Sequence, residues 1–132
     1  MKIIYAITFA CAVFSVTGAV AQDVDCEEAS DQTSLNICAD QDYKAADEAL
    51  NTAFLELRDG LEQEDADRLK VAQRDWIAYR DAMCAFVGGP TEGASANPMV
   101  VSNCLASITN TQTELLLDQS NCEEGDLSCV GR

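Results

Sequence analysis

Apolar residues recur at three- and four-residue spacing along much of the chain, which is the period of an amphipathic helix. The first such stretch predicts a helix from about residue 41 to residue 59, preceded by a short helical turn over residues 33–39. Asp40 or Asp42 is the expected N-cap, and Gly60 is expected to end the helix in a left-handed conformation. The predicted inner face consists of Ala46, Ala49, Leu50, Ala53, Phe54, Leu57 and Leu61.

Two further helices follow the same pattern. The second is predicted over about residues 65–87 and ends at Gly88-Gly89-Pro90, and the third over about residues 99–117, after a loop of small residues. The expected inner faces are Leu69, Ala72, Trp76, Tyr79, Met83 and Val87 in the second helix, and Val101, Leu105, Ile108, Gln112 and Leu115 in the third. No stretch alternates as a strand does. The sequence therefore predicts an all-α fold, a small helical bundle in which an antiparallel helical hairpin is joined by a third helix.

The N-terminal segment has the features of a secretory signal peptide. Lys2 precedes an almost wholly apolar run over residues 3–16, and Ala19-Val20-Ala21 supplies a small-residue cleavage site. The run is shorter than the roughly 20 apolar residues of a membrane span, and no convincing lipidation motif precedes Cys11. We therefore expect a periplasmic or secreted protein without a lipid anchor. The expected organisation is a cleaved signal peptide (1–21), a helical domain (22–117) and an acidic tail (118–132).

Six cysteines remain after cleavage, and an even count in a small exported chain indicates disulfides. Six cysteines allow 15 connectivities. We favour the sequential one, because each bridge then closes a short local loop that contributes up to about 3 kcal/mol. The expected pairs are Cys26–Cys38, Cys84–Cys104 and Cys122–Cys129. For the last pair, a disordered tail whose cysteines join others is the alternative.

Charge narrows the class of partner. The chain has 23 acidic and 8 basic residues and a net charge of −15, which becomes −16 when Lys2 is removed. Nucleic acids and anionic membranes bind basic surfaces, so neither is an expected partner. A cationic protein partner is one reading of this charge. Simple solubility of an exported protein is the other.

The residues needed for common catalytic and metal sites are missing. The chain has no histidine, so the usual general base and the serine or cysteine catalytic pairs are absent. No cysteines have zinc-site spacing, no glycine-rich phosphate loop is present, and the acidic stretch around residues 59–67 does not match a calcium-binding EF-hand loop. We expect no catalytic activity, no cofactor and no metal.

The second helix contains the most informative side chains. Trp76 and Arg80 lie one helical turn apart, which allows the guanidinium to stack on the indole. Trp76 is expected in the core, because it lies in the middle of the apolar stripe, and Arg80 is expected to pair with Asp47 of the first helix. Tyr43, Tyr79 and Phe54 are interpreted as packing residues.

Several segments, in the same order, resemble the LprI-type lysozyme-inhibitor domain family of small exported bacterial proteins. After the first cysteine pair these are ADEALNTAFLELRDGL at 46–61, AQRDWIAYRDAMC at 72–84, a glycine-containing loop, and PMVVSNCLASITNTQTELL at 98–116. The resemblance implies an α-helical domain stapled by Cys26–Cys38 and Cys84–Cys104. It also implies inhibition of lysozyme, an activity of some members. Members often carry an arginine near the position of Gln112, the best-known members are lipoproteins, and the pair Cys122 and Cys129 is an addition.

Three hypotheses therefore remain. The first is an exported protein that inhibits a cationic lysozyme by association through an acidic surface. The second is a periplasmic envelope-stress or accessory interaction module with a different protein partner. The third is a structural or accessory protein with no small-molecule site. The resemblance marks no lysozyme-contact residues, and the sequence leaves the oligomeric state open.

Overall fold

The structure is a computed structural model that describes residues 24–123 and 125–130; the expected signal peptide lies outside them. Three long helices make up this part of the chain, and it contains no strand: α1 (Gln32–Asp59), α2 (Gln63–Gly88) and α3 (Asn97–Ser120). A short 3-10 helix, Gly89–Thr91, follows α2. The predicted all-α, disulfide-stapled bundle is confirmed.

Helix α1 is one continuous helix, and the predicted separate turn over residues 33–39 was wrong. The carboxylate of Asp31 accepts hydrogen bonds from the backbone N–H groups of Thr33 and Ser34, and from the Ser34 hydroxyl at 2.6 Å. These bonds satisfy donors that a helix start leaves without partners. Asp31 is therefore the N-cap, and Asp40 and Asp42 lie inside the helix.

The turn after α1 also differs from its prediction. Gly60 has a φ of −88°, which any residue can adopt, so it is not the left-handed stop expected from the sequence. The turn is closed instead by the backbone N–H groups of Gly60 and Leu61, which donate to the carbonyls of Leu57 and Arg58. Within the described residues a positive φ occurs at Gly93, in the loop before α3, and at Gly125 in the tail.

Helices α1 and α3 run parallel and pack closely, while α2 runs antiparallel to both. At one end, the Asn36 side chain donates to the Ser95 carbonyl at 3.0 Å and accepts from the Met99 backbone N–H at 3.2 Å. At the other end, Leu57 and Leu116 belong to the same buried cluster. The helices approach closely because their buried positions are mostly small; these are Ala39, Ala46, Ala53, Ala106, Thr109 and Thr113.

The apolar core lies between the C-terminal halves of α1 and α3 and the first half of α2. It consists of Leu50, Ala53, Leu57 and Leu116. Partly buried Phe54, Leu61, Leu69 and Trp76 pack against it.

The predicted inner faces of α2 and α3 need correction. Tyr79, Val87 and Leu115 were expected inside, yet they are 56%, 42% and 54% exposed, respectively. The face of α2 that is turned inward instead includes the polar residues Gln73 and Arg80. An apolar stripe alone assigns polar positions to solvent, so it does not predict that Gln73 and Arg80 are buried in the bundle.

Three disulfide pairs follow the sequential pattern. The Cα atoms of Cys26 and Cys38 are 5.6 Å apart, those of Cys84 and Cys104 5.5 Å, and those of Cys122 and Cys129 5.7 Å. All three separations are those of disulfide-bonded cysteines. The second pair joins the end of α2 to the start of α3, where Cys84 is fully buried.

In the described part of the chain, no helix combines the length and the apolar character that crossing a membrane requires.

Candidate interaction surface

Arg80 is the polar centre at which the three helices meet. Its Nη1 donates to Asp47 Oδ1 on α1 at 3.2 Å and to the Thr109 hydroxyl on α3 at 3.3 Å, and its Nε donates to Asp81 Oδ1 at 2.9 Å. The Arg80 side chain is only 7% exposed. The structure thus brings together Arg80 and Asp47, the residues that the sequence paired.

Two aromatic rings complete the surroundings of this guanidinium. Arg80 Cζ lies 5.3 Å from the centre of the Trp76 ring and 5.4 Å from that of Tyr43, both within cation–π range. Burial acts to lower the pKa of Arg80, but its hydrogen bond to Asp81, the nearby Tyr43 and the contact with Asp47 together raise that pKa. The cation is therefore permanent, and its role in this geometry is to hold helices together.

An open groove of about 640 Å³ lies beside Arg80, between α2 and α3. Apolar side chains of Val101 and Leu105 line it, together with Tyr43, and the acids Asp81 and Glu92 also line it. The groove residues include no histidine and no free thiol, since Cys84 is in a disulfide. The residues that line the groove are better suited to non-covalent contact with another molecule than to catalysis.

Every basic side chain in the described residues forms a salt bridge within the chain. Lys44 pairs with Asp40, Arg58 with Asp59, Arg68 with Glu64 and Asp65, Lys70 with Asp67, Arg74 with Asp75, and Arg80 with Asp47 and Asp81. The other exposed carboxylates of the described residues form no salt bridge with a described basic side chain. The surface field is therefore negative, as the net charge requires.

The exposed acids are spread unevenly over the bundle. Residues 24–31 contain Asp25, Glu27, Glu28 and Asp31 and no basic residue. Helix α2 is nearly balanced, because its basic residues are each paired with acids, whereas residues 97–113 of α3 carry no charge. Carboxylates occur on several faces, so acidity alone does not mark one contact face.

The outward side of α2 carries four exposed apolar side chains, interrupted by Asp75, which is paired with Arg74. Val71 is 49% exposed, Tyr79 56% and Phe86 78%, and Ala82 is also exposed. These residues recur at helical spacing on the side opposite Gln73, Arg80 and Cys84. We call Val71, Tyr79, Ala82 and Phe86 the outer face of α2. This face was not predicted, because the apolar stripe of the sequence placed Tyr79 inside; the apolar spacing 71, 79, 82 and 86, interrupted by Asp75, is the signal that indicates it.

No metal centre is evident in the described part of the chain: residues 24–123 and 125–130 contain no group of three or more His, Cys, Asp or Glu residues placed to hold an ion.

Comparison with known proteins adds a family to this geometry. Residues 25–116 match the family described as "Lysozyme inhibitor LprI". An uncharacterized protein of Rhizobium meliloti (strain 1021) is 41% identical, over an alignment that covers 67% of this chain and 73% of the relative. No solved structure matches.

Proposed function

We infer that this chain, which belongs to the lysozyme inhibitor LprI family, is an exported binding protein that inhibits lysozyme. It acts by protein–protein association, covering the substrate cleft of the enzyme with an acidic helical surface. It performs no catalysis of its own. The observation that carries this proposal is the extent of the family match, which spans all of α1 and α2 and reaches residue 116 in α3.

Electrostatics supports the choice of a cationic partner. The chain has a net charge of −15, and its described basic side chains are already paired with its own acids. A basic lysozyme would be attracted over distances of about one Debye length, roughly 8 Å at physiological salt. Such attraction raises the association rate and disfavours anionic partners.

Export is supported by the cysteines as well as by the predicted signal peptide. The cysteines of the described residues lie in three disulfide pairs. Disulfides persist in the periplasm and outside the cell and are rare in the reducing cytosol. Lysozymes that attack the cell wall act on that same side of the membrane, so inhibitor and enzyme would share a compartment.

The test is inhibition of a c-type lysozyme by the oxidised chain, residues 22–132, in 0.15 M salt. An unrelated acidic protein of similar size and charge is the control for simple charge attraction. We expect inhibition well beyond that control, with an affinity that falls as salt increases but persists at 0.15 M. Inhibition no greater than that of the control would refute the proposal. The alternative, an envelope-stress or accessory module with another protein partner, would then take its place.

A further inference from the structure

We propose that the outer face of α2 is the surface that docks on a basic protein partner, with its aromatic side chains as anchors. This inference rests on the proposed function and names the face that makes the contact. Its basis is an unpartnered apolar stripe on a helix whose charges are already neutralised, set in an otherwise acidic protein.

The fold does not use this stripe. The residues of α2 that are buried in the bundle are Ala66, Gln73, Arg80, Cys84 and Gly88, and the outer face lies on the opposite side of the helix. From Val71 to Phe86 it extends about 22 Å at 1.5 Å per residue. Phe86 is 78% exposed, so keeping it in water costs free energy that docking would recover. Exposed aromatic residues of this kind are enriched among the residues that dominate binding energies.

The charged residues of α2 are all in salt bridges. Interface centres are depleted in charged residues, and Asp75, which interrupts the stripe, is paired with Arg74. Arg68 is likewise paired with Glu64 and Asp65. No free cation or anion on this helix has to be transferred from water without its partner, a transfer that would weaken binding.

The acids beyond the helix point to the chemistry of the partner. Glu92 follows the C-terminal end of α2, lines the groove beside Arg80 and forms no salt bridge within the described residues. The outer face alone is smaller than the roughly 800 Å² per partner of a standard interface. Acids around it would supply the polar rim. The complementary surface is apolar at its centre and carries Lys or Arg around it. A second copy of this chain is a poor match, since each copy has a net charge of −15.

The experiment compares two double variants of the oxidised chain with the wild type. Tyr79→Ala/Phe86→Ala removes the anchors. Leu55→Ala/Leu115→Ala is the matched control, because it removes two exposed apolar side chains from α1 and α3. Affinity for a c-type lysozyme is measured by calorimetry in 0.15 M salt, together with lysozyme inhibition and Tm. We expect the α2 variant to bind at least about 30-fold more weakly with Tm near that of the wild type, and the control to bind within about threefold of wild type.

Each outcome supports or overturns the proposal. If wild type inhibits lysozyme and the α2 variant binds equally well, the docking surface is wrong while the proposed function stands. If wild type does not bind lysozyme, the proposed function fails, and this inference fails with it. If wild type is a dimer by sedimentation and the α2 variant is a monomer, a second copy is the true occupant. If the double variant does not fold, Phe86→Ala alone, at the most exposed anchor, decides by the same comparison.

Discussion

Replacing Arg80 with alanine removes every contact of the buried guanidinium at once. Each of its two cation–π contacts contributes on the order of 1 kcal/mol. The salt bridges to Asp47 and Asp81 contribute about 1 kcal/mol each, because those carboxylates are 40% and 57% exposed and are screened by water. The fully buried Thr109 hydroxyl loses its donor, at a cost of about 1 kcal/mol. Because such contacts are not fully additive, we expect Arg80→Ala to lower the free energy of unfolding by about 4 kcal/mol.

Arg74→Ala is the matched control for this prediction. Arg74 lies on the same helix and also pairs with the next residue, Asp75, but its side chain is 73% exposed. Its loss is expected to cost less than about 0.5 kcal/mol. Urea unfolding followed by far-ultraviolet circular dichroism, with the disulfides kept intact, measures both variants. A loss for Arg80→Ala below about 1.5 kcal/mol, or no larger than that for Arg74→Ala, would refute the reasoning that this cation joins the three helices.

Four further predictions concern stability. Trp76→Ala should cost about 3 kcal/mol or more in urea unfolding, because the ring packs against the core and under Arg80; unchanged melting with lost partner binding would place Trp76 at an interface instead. Gln73→Met should raise the free energy of unfolding by about 1 kcal/mol, because the buried Gln73 Oε1 has no hydrogen-bond partner; lower stability would mean that this oxygen is satisfied. Gly88→Ala should lower the free energy of unfolding by about 1–3 kcal/mol, because the added Cβ would lie 2.6 Å from Val101 Cγ2. In a double-mutant cycle, Val101→Ala should recover part of that loss, and strictly additive effects of the two substitutions would contradict the clash. Hydrogen bonds from the Ser34 side chain and from backbone N–H groups lower the pKa of Asp31, so the stability that ionised Asp31 contributes is present above about pH 4 and is lost as the pH falls through the lower, folded-state pKa. Asp31→Asn caps the helix without ionising and should therefore show a shallower fall of Tm between pH 5 and pH 2. An identical fall of Tm in the variant would exclude Asp31 as a source of the pH dependence.

The residues of the polar centre could be predicted because their signals are local. Arg80 follows Trp76 by one turn, and a cation on an inner helix face requires an acid on a neighbouring helix. Asp47 lies on the first helix, and the structure places it beside Arg80, together with Asp81 of α2. Thr109 could not be predicted in the same way, because an uncharged hydroxyl in a helix gives no sign of its partner.

The outer face of α2 shows where sequence reasoning reached its limit. Helical spacing is compatible with Tyr79 on the side of Trp76 and Met83 or on the side of Val71 and Phe86. The reason is that Tyr79 lies on the flank between these two sides of the helix. Which side is buried depends on where α1 and α3 lie. Hydrophobicity alone favoured burial of Tyr79, whereas the contacts of Arg80 orient α2 so that Tyr79 is exposed.

The sequence by itself determined the helical class, the approximate extents of α2 and α3, and a disulfide-rich, acidic composition, because periodicity, cysteine number and charge are properties of the chain alone. Only the tertiary structure decided that α1 starts at Gln32 and that α1 and α3 run parallel through Ala46, Ala106 and Thr109. Close packing of helices depends on small residues that meet across space, and no spacing within one helix encodes which helix will face it. For the same reason, only the tertiary structure shows that Phe86 is exposed to solvent, on the face where we expect the partner to bind.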